Sequence, residues 1–136
     1  MKLEYLNDIT DGGKYPYADP DKLIRLYDFD QIQARQLIHS IQVQIINGNS
    51  DLDLSNLQFI EPLNCNLKFT IASTDIGIAL SPNNDFICKL PLQSYQEMIG
   101  MMEVFEDKEN DMAGYHWLYD PPINKIDLLF SPGGTW

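Results

Sequence analysis

The sequence predicts an α+β protein. In this reading a mainly antiparallel sheet, in chain order β-α-β-β-β-α-β-β, forms one layer and two amphipathic helices packed on one face form the other. Three observations lead there. Across residues 67–90 apolar side chains alternate three times: Leu67, Phe69 and Ile71, then Ile76, Ile78 and Leu80, then Phe86, Cys88 and Leu90. Successive side chains leave a strand on opposite faces, so this is the mark of half-buried strands. The two segments flanking that stretch place apolar residues three and four apart, the period of a helix with one buried stripe. The last part of the chain alternates again, as Tyr115, Trp117 and Tyr119 and then Ile126, Leu128 and Phe130, which reads as a hairpin.

Residues 1–6 read as a short strand with Leu3 and Tyr5 on one face, and residues 1–21 together as an N-terminal arm or edge strand. Tyr15-Pro16-Tyr17-Ala18-Asp19-Pro20 favours extended backbone, since each proline also restricts the residue before it, and the arm is expected to lie across the domain surface. Asp11-Gly12-Gly13-Lys14 is turn chemistry. It is not a phosphate loop, because the outer Gly at the required spacing and the following Ser or Thr are both missing.

Leu23-Ile24-Arg25-Leu26-Tyr27 reads as a strand that turns through Asp28-Phe29-Asp30 into a helix. Asp30 fits the N-cap, with Gln33 three residues later completing a capping box. Asp28 either ties down the same turn or is a solvent-facing functional carboxylate, and the structural role is favoured. Ala34, Leu37, Ile38, Ile41 and Ile45 form the apolar stripe, widened by Ile32, Val43 and Ile46, and Gly48 stands where a helix end wants glycine. A rival reading exists, because Ile41-Gln42-Val43-Gln44-Ile45 also alternates as a strand and Asn47-Gly48 suits a hairpin. The helix is taken to run to about Ile46. Asn47, Asn49, Asp51 and Asp53 have the spacing of a calcium loop, but Leu52 replaces its glycine and Gln58 its closing glutamate. They are read as a polar turn.

The central strands form a three-stranded meander in this reading, with Ser73-Thr74-Asp75 and Ser81-Pro82-Asn83-Asn84-Asp85 as its turns. A second helix follows, with Ser94 and Glu97 as its capping box and Tyr95, Met98, Ile99, Met102 and Phe105 as its stripe. Methionine both fills irregular core gaps and lines adaptable surfaces, and for Met98, Met101 and Met102 core filling is the default. Gly100 costs about 1 kcal/mol relative to Ala inside a helix, which would fit a close approach to the sheet. Glu103, Glu106, Asp107, Glu109 and Asp111 oppose the helix dipole, so a mobile acidic loop is expected. Asp120-Pro121-Pro122-Ile123-Asn124 supplies the hairpin turn, and Trp136 is expected to fold back onto the domain.

One domain spanning 1–136 follows from the length. The chain has no long uncharged apolar run and its first residues lack the apolar core of a signal peptide, so a cytoplasmic protein is expected. Cys65 and Cys88 fall at buried-looking strand positions and are read as free thiols. With His39 and His116 they give no zinc spacing. Nine basic against twenty acidic residues leave a net charge of −11. That balance argues against nucleic acid, whose phosphates need a positive footprint, and against an anionic membrane. It would steer in a basic protein.

A nucleophile elbow, a dinucleotide-binding glycine pattern and HExxH are all missing from the sequence, and no cofactor or metal is expected. The function expected is therefore a non-catalytic protein-binding or regulatory domain recognising a basic partner. The candidate contact residues are Glu106, Asp107, Glu109, Asp111, His116 and Trp136. The alternative is a small hydrolase-like or ligand-binding enzyme in which a pocket gathers His39 or His116 with a carboxylate of raised pKa. Inhibitor and immunity proteins against secreted toxins neutralise basic partners in this general way, a likeness of charge and size alone.

Overall fold

Alternating segments become strands where the sequence places them, but they pair differently from the expected meander. The computed structural model describes the chain apart from residues 108, 110 and 122–125 and the side chain of Ser81. In chain order the described elements are β1 (Lys2–Leu6), β2 (Leu23–Tyr27), α1 (Gln31–Ile41), β3 (Leu52–Asp53), β4 (Glu61–Pro62), β5 (Asn66–Ile71), β6 (Gly77–Ser81), β7 (Asp85–Leu90), α2 (Leu92–Met102), β8 (His116–Tyr119) and β9 (Asp127–Ser131). The α+β class holds, while the strand count and order do not. There are two mixed sheets, ordered β4-β1-β2-β9-β8 and β3-β5-β7-β6. One apolar cluster joins residues of both sheets and both helices.

The central strands differ most. β7 runs parallel to β5 and antiparallel to β6, and it lies between them. The chain leaves β5, passes the end of β7 and returns on its far side. Hydrogen bonds from the Ala72 amide to the Leu90 carbonyl (2.9 Å) and from the Ile76 amide to the Lys89 carbonyl (3.1 Å) mark that passage. Residues 72–76 are long enough for it, because two inter-strand spacings come to only about 10 Å and each extended residue covers about 3.3 Å. Asn83 and Asn84, with φ of 65° and 57°, then make the tight return into β7. Phe69, Ile78 and Cys88 are buried, as the alternation requires, whereas Ile76 and Leu80 are exposed because β6 is an edge.

β1 is a strand with Leu3 and Tyr5 buried, but it is not the sheet edge, since β4 pairs outside it along Lys2 and Leu3. The Asn64 side chain continues that edge, donating to the Tyr5 carbonyl and accepting from its amide, both at 2.8 Å. Within the arm, Tyr17 is 96% exposed. Asp28 proves structural. Its backbone takes φ 51°, its carboxylate pairs with Lys2 at 2.7 Å, and its amide donates to the Pro132 carbonyl.

Asp30 and Gln33 form the expected reciprocal capping box of α1. The helix continues as a wider π-helical turn (Gln42–Asn47), which settles residues 41–46 as helix: Ile41 and Ile45 are buried while Val43 is exposed. Ile32 is exposed as well, so the stripe is narrower than read. Gly48 has a right-handed φ of −86° and Asn49 takes the left-handed position. Glycine is needed at 48 for closeness instead, as a Cβ there would sit 2.8 Å from the carbonyl oxygens of Val43 and Gln44.

α2 begins two residues before the expected capping box. Pro91 is its N-cap with no side-chain bond, so Ser94 lies inside the first turn. Gly100 is exposed and a Cβ on it would meet nothing within 4 Å, which removes close packing as its reason. The helix passes into a 3-10 turn (Glu103–Glu106) anchored by buried Phe105.

β8 and β9 form the expected antiparallel hairpin, whose connecting turn lies mostly outside the described residues. A bulge at Leu118 breaks the alternation. Trp117 opposes Leu129 on the outer face, while Tyr119 opposes Leu128 on the core face. The outer face is covered by the tail: Arg25 donates to the Gly134 carbonyl at 2.7 Å, and Trp136 packs edge-on against Trp117 at 5.7 Å. Trp136 therefore folds back, with 44% of its surface still exposed.

Candidate functional site

The acidic segment begins on α1. Phe105 inserts between Phe29, Phe130 and His116 at ring distances of 5.4–5.8 Å, which pins the turn that carries Glu106. Arg35 lies 3.8 Å from the Glu106 carboxylate and donates to its carbonyl at 3.3 Å, and Gln31 donates to the Asp107 carbonyl at 3.0 Å. This stretch is therefore held where a frayed helix end was expected. Asp107 and Asp111 accept from the amides of Glu109 and Ala113, local turn bonds that leave all three carboxylates of Asp107, Glu109 and Asp111 on the surface.

His116 lies in the row that also holds Leu3, Leu26 and Phe130, on the core face of the sheet and half-buried against Phe105. Trp136 is on the opposite face. With Met112, Tyr115 and Thr135 it lines a shallow cavity of about 190 Å³ where the acidic segment leads into β8. The chain thus gathers Trp136 with the end of the acidic segment, and it turns His116 away from them toward the core.

A second cleft was not anticipated. Trp117, Leu118, Tyr119 and Asp120 line it consecutively. Neighbouring strand residues point to opposite faces, so a cleft touched by all four runs along the strand's edge, and β8 is the last strand of its sheet. The facing wall is one stripe of α2, Ser94, Glu97 and Met101, at helical spacings of three and four. Asp75 and Leu90 close the remaining side, and the volume is about 290 Å³. Tyr119 donates to Asp75 at 3.0 Å, tying the loop between β5 and β6 to β8. Burial, and then that bond to Asp75, push the Tyr119 phenol well above its ordinary pKa. The three methionines divide here: Met98 and Met102 are buried in the core, and Met101 lines the cleft.

The local sequence offers one signal for this cleft. Glu97 and Met101 lie beside the buried stripe of α2, where a helix face turns toward solvent. Nothing in the sequence brings Asp75 and Asp120 to it, because they adjoin strands of different sheets that meet only when the sheets and α2 pack.

The remaining titratable groups bear on the enzymatic alternative. Burial pushes both free thiols, Cys65 and Cys88, up to about 12, so neither is a thiolate at neutral pH, the form that attacks. Asp127, at the start of β9, is pushed up to about 7, first by burial and then by the charges of Asp120 and Asp19. Neither histidine lines the two cavities described above. Comparison with known proteins returns no matching family model, no matching curated sequence and no matching solved structure.

Proposed function

We propose that this protein is a non-catalytic binding domain that recognises a basic protein partner in the cytoplasm. The observation that carries this reading is the distribution of unneutralised acid. Of the described carboxylates, Asp75, Glu97, Asp107, Asp111 and Asp120 take part in none of the ion pairs, which join Lys2 to Asp28, Lys14 to Asp11, Arg25 to Glu4 and Arg35 to Glu106. Asp107 and Asp111 precede β8 in the chain and Asp120 follows it, Asp75 and Glu97 line the cleft along its edge, and the nearby segments carry the partly exposed rings of Tyr115 and Trp136. Exposed aromatic rings within a field of one sign combine apolar contact area with long-range steering, the two contributions a protein interface uses for affinity and for encounter rate. Protonated thiols and a core-facing His116 support a role in recognition over nucleophilic chemistry.

The test is capture from native lysate on the immobilised protein, with elution by salt and identification of what is retained. A specifically retained protein of high pI that elutes between low and physiological ionic strength is the expected result. Retention of neutral or acidic proteins, or elution that ignores salt, would overturn the reading.

A further inference from the structure

We propose that a second copy of this chain docks on the open edge of β6. The two β6 strands pair antiparallel about a two-fold axis at Ala79, which joins the two four-stranded sheets into one. An edge strand presents unpaired backbone N–H and C=O groups, and proteins guard such edges with short strands, charge, proline, bulges or a covering element. Among the described residues three of the four sheet edges are guarded in these ways. β3 and β4 have two residues each, with Asp53 in one and Glu61 and Pro62 in the other. β8 is bulged at Leu118 and has α2 across the cleft from it. β6 differs from all of these. It has five residues, pairs with β7 without a register shift from Gly77 to Ser81, and lies in a run, residues 76–84, that holds no charged residue.

The side chains of this edge complement themselves. Ile78 and Leu80 oppose Cys88 and Phe86 and so share the core face, yet Ile78 is buried and Leu80 is 59% exposed. A two-fold interface sets residue i of one copy against residue j of the other, and j against i. With the axis at Ala79, Ile78 of each copy meets Leu80 of the other, which covers the apolar surface that a single copy leaves open. Asp75 falls opposite Asn83, so no two carboxylates face each other across the seam. On the outer face the row of Lys89 and Gly77 in one copy continues into position 81 and Asp85 of the other. The charges in that row are therefore opposite in sign, three strand spacings or about 14 Å apart. A basic partner finds no charge to meet on β6, whereas an identical apolar edge matches it in both hydrogen bonding and side chains. So short a seam is smaller than that of a permanent dimer, and a weak, concentration-dependent association is expected.

The experiment is sedimentation velocity of the whole chain from about 10 μM to 1 mM, at ionic strengths of about 0.01 and 0.15 M. A shift from monomer toward dimer with concentration is expected, stronger at the higher salt, because screening relieves repulsion between two copies of net charge −11. That salt response is opposite to the one a basic partner should show, so the two readings fail separately. Leu80→Lys puts a charge on the edge and should weaken dimerisation at least about tenfold. Should that variant fold poorly, Ala79→Cys supplies a second reading. Cys65 and Cys88 are buried, so the new thiol is the reactive one, and under mild oxidation it should link two copies much faster than Tyr17→Cys, placed on the exposed arm. A monomer throughout that range would overturn the proposal. So would a dimer that ignores Leu80→Lys and links no faster through Ala79→Cys than through Tyr17→Cys, or assemblies that grow beyond two copies. A monomer whose capture of a lysate protein is lost on Leu80→Lys would give the edge to that protein and overturn the second copy.

Discussion

The Tyr95 hydroxyl sits where β5 and β7 meet. It accepts from the Thr70 amide at 3.1 Å and lies 2.9 and 2.8 Å from the carbonyls of Thr70 and Cys88, between which its one proton is shared. Burial holds this phenol neutral far above its ordinary range. Tyr95→Phe keeps the ring and leaves those buried backbone groups without their partner. The expected cost is about 1–3 kcal/mol, read as a lower urea midpoint with an unchanged m-value. Asp127 makes the opposite kind of statement. Its folded pKa of about 7 lies above the ordinary 3.8, so across that window the folded state keeps a proton that the unfolded chain has released. Stability from this group is therefore complete below about pH 4 and falls as pH rises toward 7. In paired thermal melts the advantage of Asp127→Asn over wild type should grow from pH 5 to pH 8. A difference independent of pH would remove Asp127 as the cause.

Within single elements, features that depend on near neighbours were legible from the residues alone. The Asp30–Gln33 box needs only four consecutive residues, and it forms as read. The Ser94–Glu97 box was misplaced because Pro91, with φ −61° and ψ 155°, lets α2 begin directly after β7. The alternation at Tyr115, Trp117 and Tyr119 was broken by an extra residue at Leu118, which no periodicity announces. Gly100 carries a prediction of its own. With an open surface above it and no left-handed backbone, it contributes only a helix penalty. Gly100→Ala should stabilise the protein by about 0.5–1 kcal/mol, seen as a raised melting temperature. A lower one would mean that the added methyl meets a neighbour in the folded protein.

Across the whole molecule, the fold class was readable and the pairing of strands was not, because alternation says that Leu67, Ile78 and Phe86 lie on strands and is silent about which strands touch. The cleft was hidden for a related reason: Asp75, Glu97 and Asp120 come from two different sheets and a helix, and become neighbours only when these pack together. A net charge of −11 on 136 residues predicts opposite responses to salt. Raising ionic strength from about 0.01 to 0.15 M shortens the screening length from about 30 to 8 Å. This should raise the melting temperature by relieving self-repulsion while loosening a basic partner; a melting temperature that fell would show that attractive pairs dominate. The placement of β7 and β9 has one more outcome. Each is the last strand of its sheet in chain order, and each must slot between two strands made earlier. The hairpin of β6 and β7 can zip up locally and dock on β5 afterwards, but β2 waits for roughly a hundred residues of further synthesis before β9 arrives beside it. A growing polypeptide of this design leaves one edge of β2 without its neighbour until β9 has been made.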